Sequence, residues 1–178
     1  MTPERKPLLF VDVDGVISLF GFSATAPEAE GMFHWIDGIG HFIPTEAGPR
    51  LERLAEAYDL VWATGWEEKA NQYLPFILKL PFQDLPCLTF QGRAVFGSAD
   101  WKLDGIAAFA TDRPMAWIDD NLSEPVKEWA LARPAPTLLV ETRPATGMTD
   151  GHVDAMLEWA ERLPRSGEDQ GSAGEAIA

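Results

Sequence analysis

Cysteine is nearly absent. Cys87 stands alone, so no intramolecular disulfide can brace the fold. A lone thiol fits a reducing compartment, and a cytoplasmic location is expected. Positive charge is scarce as well: 14 Lys and Arg stand against 28 Asp and Glu, for a formal net charge of −14. Broad binding to nucleic acid or to an anionic membrane needs a basic surface, so neither is expected as a general mode. A local basic pocket, or phosphate bridged by a metal, stays open. No apolar run reaches the length that crosses a bilayer. No signal peptide is expected, because Asp12 and Asp14 interrupt the N-terminal apolar run.

What is present is an ordinary apolar share, 46% of 178 residues, enough for one domain with a true core. Residues 1–164 read as that domain. Residues 165–178 are rich in Gly, Ser, Ala and acid, and are expected to form a disordered tail. Within the domain, short apolar runs at 8–13, 60–63, 115–118 and 137–140 alternate with helical patterns. The helices are expected at 45–57, at 67–80 with a break near Pro75, at 101–109, from a Ser123 cap to Leu131, and at 149–163. Such alternation implies a Rossmann-like α/β fold: a three-layer sandwich around a central parallel sheet. The Gly-rich, aromatic stretch 16–44 breaks the pattern and reads as a hairpin or flap over the sheet edge.

Three strands end in unusual residues. Leu8-Leu9-Phe10-Val11 runs into Asp12-Val13-Asp14-Gly15, Leu60-Val61-Trp62-Ala63 into Thr64-Gly65, and Met115-Ala116-Trp117-Ile118 into Asp119-Asp120-Asn121. Side chains at i and i+2 of a strand share a face, so Asp12 and Asp14 can converge beyond the strand's carboxyl end. That end is where open α/β sheets place ligands. If the three strands are neighbours, four carboxylates and a hydroxyl meet there. Two carboxylates ~4 Å apart repel by about 4 kcal/mol at an effective dielectric near 20. The cluster therefore calls for a cation, and hard oxygen ligands favour Mg²⁺. Asp119 is the expected metal ligand, with Asp120 a second ligand or an orienter.

This set resembles the haloacid dehalogenase (HAD) superfamily of aspartate-nucleophile phosphatases. Its four motifs match, in order, Asp12-Val13-Asp14-Gly15, Thr64, Lys102 and Asp119-Asp120. Trp117 to Asn121, Ala63 to Trp66 and Gly147-Met148-Thr149 are further similar to small HAD domains related to those of RNA-repair proteins. The resemblance implies a Mg²⁺-dependent phosphohydrolase. Asp12 would be the nucleophile and Asp14 the general acid and base. Thr64 would donate to a phosphoryl oxygen, and Lys102 would offset charge. Asp12, the Asp14 carbonyl, Asp119 and Asp120 would surround the metal. The intervals from Asp14 to Thr64 and from Thr64 to Lys102 are too short for a full cap domain. An open site follows, and it suits a phosphorylated small molecule or a polynucleotide end. A catalytically silent HAD-like binding module is the second class, and a metal-dependent nuclease the third.

The remaining aromatics and histidines read mainly as packing. Trp62 and Trp117 are expected in the core, with Trp129 and Trp159 packing helices on the sheet. Trp35, Trp66 and Trp101 lie near the expected site, but ordinary packing is the simpler reading. His34 and His41 read as a pair on a surface hairpin, and His152 as a first-turn helix residue.

Overall fold

A computed structural model describes residues 5–22, 29–90 and 98–164. The expected tail at 165–178 lies outside them, as does part of the 16–44 stretch. The chain runs through β1 (Leu8–Val11), β2 (Gly31–Ile36), β3 (Ile39–Pro44), α1 (Ala47–Ala57), β4 (Asp59–Trp62) and α2 (Lys69–Ile77). A single 3₁₀ turn (Asp100–Lys102) then leads into α3 (Leu103–Ala110), β5 (Met115–Asp119), α4 (Glu124–Ala132), β6 (Thr137–Glu141) and α5 (Asp150–Glu161).

Strands β4, β1, β5 and β6 form one parallel sheet in that order. Their apolar runs follow from burial on both faces, and alternate residues feed opposite layers. Leu9, Val11, Leu60, Trp62, Ala116 and Ile118 pack with Leu51, Leu54, Leu74, Val153 and Met156 of α1, α2 and α5. Leu8, Phe10, Val61, Met115 and Trp117 pack instead with Ile106 and Ala110 of α3 and Val126 of α4. This is the three-layer α/β sandwich that the alternation implies. Trp62 and Trp117 are fully buried within it, as expected. Among the described residues, no helix is long and apolar enough to cross a membrane.

Element ends differ slightly from the sequence reading, each for a local reason. β1 stops at Val11 rather than residue 13, because the Ile17 and Ser18 amides both turn back to the Val13 carbonyl. α2 spans Lys69–Ile77 and contains Pro75, which lacks the N–H that would continue the ladder. Ser123 caps α4 as expected, its side chain accepting from the Val126 amide.

β2 and β3 pair antiparallel as a separate hairpin, with His34 opposite His41. Its tip, Asp37-Gly38, has φ of 51° and 81°, the left-handed pair that a two-residue hairpin turn demands. The tip is pinned to α2 by an ion pair between Asp37 and Lys69. The hairpin tip is therefore tied to the first turn of α2. The loop after β6 is pressed on the loop after β1, where the Met148 amide bonds the Val16 carbonyl at 2.9 Å. Gly147 sits there at φ +61°, and a Cβ on it would come within 2.5 Å of that same carbonyl oxygen.

Helix α5 starts with a capping box in which the Thr149 amide donates to His152 Nδ1 at 3.1 Å. Burial, with Arg50 nearby, lowers the pKa of His152 from its ordinary value. A lowered folded-state pKa means that protonation favours the unfolded chain, so this contribution is present above about pH 6.5 and is lost as pH falls. Protonation also removes the acceptor on Nδ1. The difference in unfolding free energy between wild type and His152→Gln, measured by denaturant titration at pH 7.5 and pH 5.5, is expected to change in favour of the variant at the lower pH. An identical pH slope in both proteins would contradict this.

Candidate active site

The sheet order puts β1 between β4 and β5, so the polar ends of these strands are neighbours at one edge. Val11 is level with Trp62 and with Ile118, which sets Asp12 beside Asp119 and the loops that begin at Ala63 and Asp120. Asp12 and Asp119 are buried, at 6% and 1% exposure. Lys102 reaches them from the 3₁₀ turn ahead of α3, itself only 3% exposed. Its Nζ lies 2.9 Å from Asp12 Oδ2 and 2.7 Å from Asp119 Oδ2. The face of Trp101 lies 5.3 Å behind that ammonium.

Asp119 is held from all sides. Besides Lys102, its Oδ2 accepts from the Trp117 indole at 3.2 Å, and its Oδ1 accepts from the Asn121 amide at 3.1 Å. Asp120 completes the set: Asp12, Asp119 and Asp120 each offer an oxygen within 4.8 Å of the others. Asp119 closes β5, and the chain leaves the ladder after it. That is how adjacent residues, which would face opposite ways in a strand, can both serve one point. Gly15 makes room for Asp120. It has φ of +76°, and a Cβ there would lie 2.5 Å from the Asp120 carboxyl.

Three carboxylates sharing one ammonium leave excess negative charge in a poorly solvated place. Burial pushes the Asp12 carboxyl up to about 7, with Asp119 adding to the effect and Lys102 opposing it. Burial and Asp119 likewise push Asp120 up to about 6. For Lys102, burial pulls downward, but the two carboxylates outweigh it and hold the ammonium above its ordinary range. Hard oxygen donors with surplus negative charge suit a divalent hard cation, so these residues could hold Mg²⁺.

Asp14 stands apart from this cluster. Its side chain is half exposed and turned toward the hairpin. Its Oδ2 accepts from Trp66 Nε1 at 2.9 Å, and its Oδ1 lies 3.8 Å from His41 Nδ1. Crowding raises its carboxyl above the usual range, while Trp66 and His41 pull it down. Thr64 is fully buried just past β4, and its Oγ1 accepts from the Trp66 amide at 3.3 Å. Acting there as an acceptor, the hydroxyl keeps its own proton to donate.

Several residues at this edge carry more than the sequence reading allowed them. Trp66 and His41, read as packing and as a surface histidine, both face Asp14, Trp66 through a hydrogen bond and His41 at 3.8 Å. Nothing in their local sequence signals this, because the hairpin and the β4–α2 loop meet only through the fold. Trp35 is 77% exposed, on the hairpin face opposite His34. Thr142 was not singled out, yet it is buried, and its Oγ1 donates to the Gly15 carbonyl at 2.8 Å. Its amide also bonds the Asp119 carbonyl at 3.0 Å, tying two site loops together. A cavity of about 350 Å³ lies at the opposite edge of the sheet, lined by residues such as Leu8, Leu60 and Arg113, and holds none of these groups.

A buried acid cluster at the carboxyl edge of a parallel sheet, clamped by one lysine and fronted by a second acid on the first strand's loop, is the arrangement of the HAD superfamily. The chain belongs to it: a family model described as the HAD domain in Swiss Army Knife RNA repair proteins matches residues 8–153. That span takes in Asp12, Asp14, Thr64, Lys102, Asp119 and Asp120. No curated protein matches the chain.

Cation binding at the acid cluster has a defined thermal signature. At about 100 times its dissociation constant a ligand adds about 2.7 kcal/mol, or about 5–10 °C in Tm for a domain of this size. Mg²⁺ is expected to raise the Tm of the wild type on this scale and to leave Asp119→Asn unmoved in differential scanning calorimetry. Asp12 and Asp120 hold protons below about 7 and 6, and the cation must displace them. The Tm gain should therefore shrink as pH falls from 7.5 to 5.5. A wild-type Tm indifferent to Mg²⁺ at every pH would count against the cluster as a metal site.

Proposed function

We propose that this protein is a Mg²⁺-dependent phosphomonoesterase that works through an aspartyl-phosphate on Asp12. The observation that carries the reading is Asp12 itself: a buried carboxylate held by Lys102 at 2.9 Å and set beside Asp119 and Asp120. A second carboxylate, Asp14, lies two residues on. In the HAD family such a first aspartate is the attacking group.

The residues divide the reaction between them. An oxygen of Asp12 attacks phosphorus as the bond to the ester oxygen breaks. Asp14 gives that oxygen a proton, so the alcohol leaves neutral. Water then attacks the aspartyl-phosphate and passes its proton back to Asp14, which restores the Asp12 carboxylate and releases phosphate. Thr64 donates to a non-bridging phosphoryl oxygen, and Lys102 offsets the charge gathered on nucleophile and phosphate. Mg²⁺, held by Asp12, Asp119 and Asp120 and by the Asp14 carbonyl, would supply charge neutralisation between two anions that otherwise repel.

The half-exposed Asp14 and the lack of a cap domain among the described residues favour a substrate that presents a phosphate on a large body. The family description, a HAD domain in RNA repair proteins, points to a polynucleotide end. The net charge of −14 implies contact confined to the phosphorylated terminus, without a long electrostatic footprint along the strand.

The test is inorganic phosphate release with Mg²⁺ from p-nitrophenyl phosphate, nucleotides, sugar phosphates and 5′- or 3′-phosphorylated oligonucleotides. Wild type is expected to turn over, best on oligonucleotide ends, and Asp12→Asn to lose about 10³-fold or more. Equal release by both proteins would sink the Asp12 mechanism. Faster hydrolysis of sugar phosphates than of oligonucleotide ends would overturn the substrate class alone.

A further inference from the structure

We infer that Trp66, braced by His41, is a positioning residue that selects which oxygen of Asp14 carries the proton given to the leaving group. The inference rests on the phosphatase reading above and deepens it. A half-exposed aspartate is ordinarily free to sample several rotamers. Asp14 is held by a donor from another element, with Trp66 Nε1 at 2.9 Å from Oδ2. An indole nitrogen only donates. When Asp14 is protonated, the stronger acceptor, the carbonyl oxygen, faces that donor as Oδ2, which places the proton on Oδ1.

Among the described residues, Oδ1 accepts no hydrogen bond. His41 Nδ1 lies 3.8 Å from it, beyond hydrogen-bond range, and is engaged with Ser18 Oγ at 2.9 Å. Both contacts fall on the same ring nitrogen, so Ser18, His41 and Asp14 do not form a proton relay. The role of His41 is instead mechanical. Its ring meets Trp66 edge-on at a centroid distance of 4.7 Å. Trp66 is held from behind as well, its amide donating to Thr64 Oγ1 at 3.3 Å. The hairpin that carries His41 is anchored by Asp37 to Lys69 and by Tyr73 to Asp37. Three segments thus converge to keep one indole N–H aimed at one carboxyl oxygen.

The consequence is a leaving-group signature. A p-nitrophenolate departs without a proton, whereas the hydroxyl of an alkyl ester needs one. Hydrolysis of p-nitrophenyl phosphate and of a 5′-phosphorylated oligonucleotide is to be compared in Trp66→Phe, which keeps an aromatic ring and removes the N–H. The ratio of kcat/KM for the alkyl ester to that for the aryl ester is expected to fall about tenfold or more. His41→Ala should lower it by a smaller factor, and His41→Phe, which restores a ring edge, less than His41→Ala. An equal loss on both esters, or an unchanged ratio, overturns this inference and leaves the phosphatase reading standing. A wild type that releases phosphate from no substrate of the panel overturns that reading and this inference with it.

A second readout needs no turnover. The indole ¹⁵N–¹H resonance of Trp66, assigned by its loss in Trp66→Phe, is expected to move upfield in Asp14→Ala. A resonance that stays in place shows that the N–H does not bind Asp14 in solution, and the inference fails whatever the kinetics.

Discussion

Repulsion among carboxylates is the constraint on which the rest of this structure turns. Asp12, Asp119 and Asp120 are packed within hydrogen-bonding reach of a common point, two of them almost wholly out of water. Removing such groups from solvent is costly unless each is paired. The fold meets that cost with one buried ammonium, Lys102, and with neutral donors from Trp117 and the Asn121 backbone. The pairing is incomplete, and the residual strain shows in the raised carboxyls of Asp12 and Asp120. Three oxygen donors short of positive charge could hold a divalent cation, as the proposed function requires.

That arrangement depends on order in the sheet more than on any single element. β1 is central, flanked by β4 and β5, so the loops after three parallel strands open at one edge. Lys102 comes from a fourth segment on the α3 side, and Thr142 stitches the β6 loop to Gly15. The glycines at 15 and 147 are needed for space as well as conformation, since a Cβ at either would strike Asp120 or Val16. The hairpin forms a second wall. Its inner face carries His41 toward Asp14, and its tip is tied to α2 by Asp37. The inner acids and the outer acid are thereby supported separately, the first by Lys102 and the second by Trp66.

Much of this was legible in the chain. Runs such as Leu8 to Val11 and Met115 to Ile118 are apolar throughout because both faces of a parallel strand are covered, and that alone identifies the layer class. An apolar run that ends in Asp-x-Asp-Gly marks a site, because buried acids do not end strands by chance. Ser123 and Thr149 announce their helices by local hydrogen bonds, which need no tertiary partner. By contrast, Trp66 and His41 belong to separate segments, each ordinary by its own pattern. Only their docking makes one a donor to Asp14 and the other its brace. Thr142 was silent for the same reason, since its partner, Gly15, is far away in sequence.

The sequence by itself determined the elements, the covered parallel sheet and the acids that end its strands, because these follow from hydrophobic periodicity and from the energetic cost of burying charge. Only the tertiary structure decided that Lys102 lies between Asp12 and Asp119, that Asp120 rests over Gly15, and that Asp14 faces Trp66. Periodicity and propensity act over a few residues, whereas ion pairing and packing act over a few ångströms. Which distant residues come within those ångströms is set by strand order and hairpin docking, and local pattern carries no record of either.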